Sequence, residues 1–190
     1  MKSCFSESLD AALETFAGLR ALEPKVEEAA ALVLACLKSG GKLLVCGNGG
    51  SAADSNHMAT EFTCRFQDDR RPYPAISLTA DGGLLTAIGN DYTFQELFGR
   101  QIRAYGKAGD VLIALTTSGK SRNVLTAIEE AKRLGVKTIA FLGKGGGFTK
   151  GAADIELQVE GTVTARIQEA HKFLIHAICE LVEPSLEKDS

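Results

Sequence analysis

Apolar residues follow two different spacings along this chain. Up to about residue 40 they recur every three or four positions, as on one face of a helix. This spacing predicts a first helix from Phe5 to Leu19 and a second from Pro24, a residue suited to a first helical turn, to Leu37. Ser39-Gly40-Gly41 is a stop signal for the second helix.

Short and nearly continuous apolar runs follow, separated by helical patterns. The runs predict strands at 43–46, 75–78, 111–115 and 138–142, and Ile155-Glu156-Leu157-Gln158-Val159 is predicted to be a final strand. The patterns predict helices at about 51–66, 93–105, 121–134 and 163–183. Because runs without polar alternation are typical of a parallel sheet covered on both faces, we expect the α/β class. The expected fold is a three-layer α-β-α sandwich with a central parallel sheet, preceded by an N-terminal helix pair, with ligands at the carboxyl ends of the strands.

The whole chain, 1–190, is expected to form one domain, in which residues 1–40 are a helical extension. Two amphipathic helices outside an already covered sheet favour burial against another subunit, and hence an oligomer. The alternative is that both helices lie across one face of the same sheet.

Composition narrows the class of protein. The formal net charge is −3, with 45% hydrophobic and 24% charged residues, which is ordinary for a folded soluble protein and disfavours a nucleic-acid binder. No stretch has the roughly 18 apolar residues of a membrane span. The cysteines are widely spread and odd in number, which favours reduced thiols and a cytoplasmic protein over a disulfide framework; they are Cys4, Cys36, Cys46, Cys64 and Cys179.

A glycine-rich turn, Gly47-Asn48-Gly49-Gly50-Ser51, joins the first predicted strand to a helix. Backbone amides and a serine hydroxyl at such a turn can hold an anion. The turn formally fits the dinucleotide pattern G-x-G-x-x-A, but the first acid after the second strand, Asp81, comes too late to hold a ribose. The P-loop pattern fails as well, because no G-K-[ST] follows the glycines of this turn, and many such turns bind nothing.

A second loop, Thr116-Thr117-Ser118-Gly119-Lys120-Ser121, occupies the corresponding place after the third predicted strand. Helix capping explains one hydroxyl here but not four. Two such loops, after the first and the third predicted strands, favour a phosphate monoester as the ligand.

Candidate acids and bases lie on two predicted helices. His57 and Glu61 are four residues apart and share a helix face, a pattern also found in simple surface ion pairs. The last helix carries Gln168, His171 and His176 in an apolar run, where a histidine is either a core residue or a titrating group kept out of water.

Five motifs occur in an order that identifies a family. They are Cys46-Gly47-Asn48-Gly49-Gly50-Ser51, His57-Met58-Ala59-Thr60-Glu61, Ile88-Gly89-Asn90-Asp91, Thr117-Ser118-Gly119-Lys120-Ser121 and Arg166-Ile167-Gln168-Glu169-Ala170-His171. Together they resemble the phosphoheptose isomerases of the sugar-isomerase (SIS) domain family, over essentially the whole chain.

The resemblance implies an aldose–ketose isomerase that converts sedoheptulose 7-phosphate to glycero-manno-heptose 7-phosphate, the first step towards the heptoses of bacterial surface polysaccharide. It implies a homotetramer with active sites between subunits, Glu61 and His176 as the acid–base pair, and one zinc ion per subunit. It implies substrate contacts from Asn48, Gly49, Gly50, Ser51, Glu61, Asn90, Asp91, Thr116, Thr117, Ser118, Ser121 and Gln168. The zinc ligands it implies are His57, Glu61, Gln168 and His176.

Two departures from the family pattern concern the substrate. Thr116 stands where many members have Ser, and Ala165 stands where many have Asp, which weakens the expectation of strict heptose specificity. The rival reading is a non-catalytic SIS domain that binds sugar phosphates or assists initiation of DNA replication. Such relatives tend to lack the histidines and glutamate that this chain has at His57, Glu61 and His176. No nucleotide cofactor, nucleic-acid partner or membrane is expected.

Overall fold

The computed structural model describes residues 3–187. Its strands are β1 (Leu43–Gly47), β2 (Ala75–Ser77), β3 (Val111–Thr116), β4 (Lys137–Leu142) and β5 (Ile155–Gln158). Its helices are α1 (Cys4–Gly18), α2 (Glu23–Lys38), α3 (Gly50–Thr63), α4 (Gly82–Asp91), α5 (Glu96–Tyr105), α6 (Arg122–Arg133) and α7 (Thr164–Val182). Among these described helices, none is long and apolar enough to cross a membrane.

The five strands form one parallel sheet in the order β2-β1-β3-β4-β5. From β1 the chain crosses over to β2 on one side, and from β3 it crosses over to β4 on the other. The carboxyl ends of β1 and β3 therefore border the crevice where the winding direction reverses, the place where α/β sheets of this kind bind ligands.

Both faces of β1, β3 and β4 are buried, which explains why these strands lack polar alternation, whereas the edge strand β5 alternates apolar with polar residues. Leu43 and Val45 of β1 belong to one core, together with side chains of α2, α3 and α7. Leu44 and Cys46 of the same strand belong to a second core, together with α4, α5 and α6. The predicted three-layer sandwich with a central parallel sheet is confirmed.

The two N-terminal helices have different positions. α2 is part of the sandwich: Ala29, Val33 and Leu37 are buried in the first core, so for this helix the alternative of lying on the sheet is the correct one. α1 packs on the outside of α7 and buries none of its residues in this chain. Only α1 is therefore left as an extension with a free apolar face.

The sequence pattern missed α4, where 93–105 was the only helix expected between β2 and β3. Gly82, Gly83 and Gly89 lower its helix propensity. Its start is stabilised by Asp81, whose side chain accepts a hydrogen bond from the backbone N–H of Leu84 at 2.9 Å. All five predicted strands and the remaining helices lie within a few residues of their predicted bounds.

Candidate functional site

The two hydroxyl- and glycine-rich loops meet at the crevice between β1 and β3. The Asn48 side chain, directly after β1, donates from Nδ2 to Asn123 Oδ1 at 2.9 Å. Asn123, in the first turn of α6, returns the same bond to Asn48 Oδ1 at 2.9 Å. This reciprocal amide pair couples the first loop to the helix that follows the second loop.

The first loop makes a tight turn into α3 that depends on its glycines. Gly49 has φ +58°, a conformation that side-chain-bearing residues rarely adopt. A Cβ at Gly50 would overlap the amide of Gln168 on α7. Ser51 is buried beneath the turn, so this loop offers a ligand mainly its backbone.

The second loop is braced from inside by one of its own hydroxyls. Thr116 is 3% exposed, and its Oγ1 accepts from the backbone N–H of Gly119 at 3.1 Å and lies 3.2 Å from Ser121 Oγ. Thr117, Ser118 and Ser121 are only half-buried and surround the start of α6. Since Ser121 makes no side-chain capping bond to α6 within the described chain, that helix start is available to an anion.

A glycine-rich segment after β4 supports the second loop. The carbonyl oxygen of Gly119 accepts two hydrogen bonds from Thr149, one from its backbone N–H at 3.1 Å and one from its Oγ1 at 2.8 Å. Thr149 itself is fully buried. Gly119 has φ +62°, and a Cβ there would overlap the backbone of Gly146. The loop conformation is thus fixed before any ligand binds.

Helices α3 and α7 lie side by side and bring the candidate acids and bases together. His57 Nε2 lies 3.1 Å from Glu61 Oε1, as expected for residues four apart on a helix. The same nitrogen lies 2.8 Å from His176 Nε2 on α7. The His57 and Glu61 side chains are 34% and 15% exposed, so the cluster is open to a ligand but partly screened from water.

The surroundings of His57 favour its neutral form. Burial, followed by the positive charge of Lys172, lowers the pKa of His57, and together they outweigh the nearby Glu61 carboxylate. Lys172 itself is held at 2.8 Å by the buried carboxylate of Asp54, one helical turn from His57. A neutral His57 accepts a proton or binds a metal at neutral pH.

These three side chains also fit a metal ion. The ligand atoms of His57, Glu61 and His176 all lie within 4.8 Å of one another. Neighbouring ligands of tetrahedral zinc lie about 3.3 Å apart, so small rotations of these side chains would accommodate the ion. Three protein ligands of this type leave the fourth position for water or substrate.

Gln168, the fourth predicted zinc ligand, lies on α7. Its amide rests on Gly50 at the start of α3, beside the first loop. Its roles as a zinc ligand and as a substrate contact stay predictions.

Asn90 and Asp91 are two further predicted site residues. They end α4 in the opposite helix layer, are exposed, and hydrogen-bond to each other at 2.8 Å. Ala165 is exposed in the first turn of α7, one turn before Gln168.

His171 is a core residue and not part of the exposed cluster. It is fully buried, and its Nε2 donates to the carbonyl oxygen of Leu142 at the end of β4, at 3.1 Å. Burial lowers its pKa to about 4. The neutral ring therefore ties α7 to the sheet.

Sequence reasoning missed Asn123 and Thr149, which hold the loops in place without being obvious ligand contacts. Thr149 stands two residues after the run Gly143-Lys144-Gly145-Gly146-Gly147, whose richness in glycine was the available signal. Asn123 carried no signal, because only the fold pairs it with Asn48.

Comparison with known proteins agrees with this geometry. The family described as SIS domain matches residues 5–143. A phosphoheptose isomerase of Campylobacter concisus is 47% identical over 183 residues, covering 96% of this chain and 97% of that protein. The solved structure of phosphoheptose isomerase from Neisseria gonorrhoeae has a TM-score of 0.84 at 43% identity, covering 95% of each chain. One from Francisella tularensis has a TM-score of 0.90 at 36% identity, covering 97% of this chain and all of that one.

Proposed function

The chain belongs to the SIS-domain family and within it to the phosphoheptose isomerases, and from this premise we propose how its residues act. It is an aldose–ketose isomerase that converts sedoheptulose 7-phosphate to glycero-manno-heptose 7-phosphate in heptose biosynthesis. The reaction moves a proton between C1 and C2 of the sugar and a second proton between the two oxygens, through an enediol.

The observation that carries the proposal is the contact of His57 with both Glu61 and His176 at hydrogen-bond distance. Glu61 is the general base that takes the carbon-bound proton. His176 exchanges protons with the sugar oxygens. His57 lies between Glu61 and His176, so its ring orients the Glu61 carboxylate and its Nε2 can exchange a proton with either side chain. General acid–base assistance of this kind contributes about a hundred- to ten-thousandfold.

The two loops hold the phosphate. Thr117, Ser118 and Ser121 donate hydroxyls, and the start of α6 supplies backbone amides. Because Thr116 is buried, it acts by bracing the loop. Binding energy from a phosphate remote from the reacting carbons is used to orient them.

His57, Glu61 and His176 are proposed to be ligands of a zinc ion, because their ligand atoms lie within 4.8 Å of one another. A bound zinc ion would polarise a sugar carbonyl or hydroxyl. A Glu61 oxygen that binds metal cannot also take a proton, so metal content decides how Glu61 acts. Gln168, beside Gly50, is proposed to contact the substrate and to be the fourth ligand when zinc is bound.

A homotetramer with active sites between subunits is supported by two features. α1 exposes an apolar stripe, and α7 adds exposed apolar residues beside it; they are Phe5, Leu9, Leu13, Phe16, Phe173 and Leu181. Asn90 and Asp91 lie in the layer opposite α3 and α7, so we propose that they reach the sugar of a neighbouring subunit. Cytoplasmic location and use of the product in lipopolysaccharide or another surface polymer stay predictions.

Turnover of sedoheptulose 7-phosphate, followed by NMR on metal-stripped protein with and without added zinc, tests this function. We expect product in at least one sample, and the comparison shows whether zinc assists or blocks Glu61. Absence of product in both samples, with substrate binding intact, would instead establish a sugar-phosphate-binding module.

Glu61→Gln tests the role of the base. It keeps the size of the side chain but not the proton acceptor, so kcat should fall by about a hundredfold or more while substrate affinity stays within a few-fold. Glu129→Gln, at an exposed position of α6 in the other helix layer, is the matched control and should behave as wild type. Normal turnover by Glu61→Gln would remove this residue from the mechanism.

A further inference from the structure

Two buried side chains of opposite charge join the ends of the two helices that carry the acid–base cluster. Glu183 follows α7 directly, and Arg70 lies in the loop 64–74 between α3 and β2. Arg70 Nε lies 3.0 Å from Glu183 Oε1, and the two side chains are only 2% and 6% exposed. None of the roles assigned above uses this pair.

The Glu183 carboxylate organises the loop that leaves α3. It accepts hydrogen bonds from three successive backbone N–H groups, those of Phe66 at 3.2 Å, Gln67 at 2.9 Å and Asp68 at 3.1 Å. Burial alone raises the pKa of Glu183, but these bonds and Arg70 outweigh it and hold the pKa below its usual value. The carboxylate is therefore charged at neutral pH and fixes the loop to the end of α7.

Arg70 fixes the end of α3. Its guanidinium donates to the carbonyl oxygen of Glu61 at 2.6 Å and to that of Phe62 at 3.2 Å. The last carbonyls of a helix lack partners within the helix, and the rigid fork of an arginine can satisfy two of them while still pairing with a carboxylate. The backbone of the proposed base is thus held directly by Arg70.

The same loop returns to the cluster through Phe66. Its N–H is held by Glu183, and its ring lies 5.7 Å from the His176 ring, tilted by 34°. Arg70 of this ion pair therefore holds the backbone of Glu61, and Glu183 holds the residue whose ring packs against His176.

We propose that Arg70 and Glu183 are positioning residues, which set the ends of α3 and α7 relative to each other and so hold Glu61 and His176 at their working separation. The role in catalysis rests on the proposed function; the role in geometry does not. A displacement of about 1 Å in a catalytic group costs about a hundredfold in rate, so a change here should be visible in kcat.

The test uses Glu183→Gln and Arg70→Lys in the full chain, with Asp110→Asn as the matched control. Asp110 is an equally buried carboxylate, paired with Lys42 Nζ at 2.6 Å and accepting from the backbone N–H groups of Lys42 at 3.0 Å and Lys107 at 2.9 Å. It lies at the amino ends of β1 and β3, the sheet edge opposite the crevice. All three variants should lose thermal stability.

Glu183→Gln and Arg70→Lys should lower kcat by about ten- to a hundredfold, with KM within about threefold of wild type, whereas Asp110→Asn should keep the wild-type kcat. The geometry is read separately from NMR signals of the three histidine rings in metal-free protein at one fixed pH. His57 and His176 signals should move in Glu183→Gln and Arg70→Lys, whereas His171 should not, and Asp110→Asn should leave all three in place.

Unmoved His57 and His176 signals with an unchanged kcat, in variants that lose as much stability as Asp110→Asn, would overturn the proposal and leave the pair as a fold-stabilising ion pair. If Glu183→Gln does not fold, Arg70→Lys, which keeps the charge, carries the test. Inactive wild-type protein would count against the isomerase, while the ring signals would still decide whether the pair sets the geometry.

Discussion

Substituting Gly119 by alanine tests whether the second loop owes its shape to the segment that supports it. Gly119 has φ +62°, which costs a side-chain-bearing residue about 1–2 kcal/mol. The added Cβ would also overlap the Gly146 carbonyl, and overpacking of this kind costs about 1–3 kcal/mol. Gly119→Ala should therefore destabilise the protein by about 2–5 kcal/mol.

Gly151→Ala is the matched control, because Gly151 has φ +83° and open space around it. Gly151→Ala should lower the free energy of unfolding only by the cost of a positive φ for alanine, about 1–2 kcal/mol. At about 2–4 °C per kcal/mol, Gly119→Ala should melt about 2–12 °C below Gly151→Ala at equal protein concentration.

Kinetics should separate the two variants as well. Displacing the loop removes phosphate contacts, and loss of one hydrogen bond to a charged group raises KM by about tenfold or more, whereas Gly151→Ala should keep the wild-type KM. Equal melting temperatures and equal KM values in the two variants would refute the idea that this segment shapes the phosphate loop.

Three further results are expected. Thr149→Val removes the hydroxyl bond to Gly119 and should cost about 1 kcal/mol in urea unfolding and raise KM, with kcat unchanged; an unchanged KM would contradict the bracing role. The pKa of His171 falls from 6.5 in the unfolded chain to about 4 in the folded protein. Its neutral ring therefore contributes its full stabilisation above pH 6.5, and the free energy of unfolding declines by about 1.4 kcal/mol per pH unit as the pH drops towards 4. His171→Gln should flatten that decline, and parallel unfolding curves would exclude His171 as its source. Leu13→Glu places a charge on the exposed stripe of α1 and should reduce the mass measured by light scattering; an unchanged mass would exclude this face as an interface.

The sequence by itself determined the sheet. Strands β1, β3 and β4 are nearly continuous apolar runs, and such a run is typical of a strand between two helix layers, so class, strand positions and the place of the two loops followed from local pattern. His57 and Glu61 also met as predicted, because the helical repeat alone sets their separation.

Other features depended on packing between segments distant in the chain. The helical period gives α1 and α2 the same amphipathic character, yet only α2 reaches the core, because burial is decided by what lies opposite. The His57–His176 contact, the Asn48–Asn123 pair and the Arg70–Glu183 pair each join residues more than 70 positions apart. Side-chain spacing within one element carries no information about such pairs, so only the tertiary structure could place Gln168 beside Gly50 and bring His57, Glu61 and His176 together.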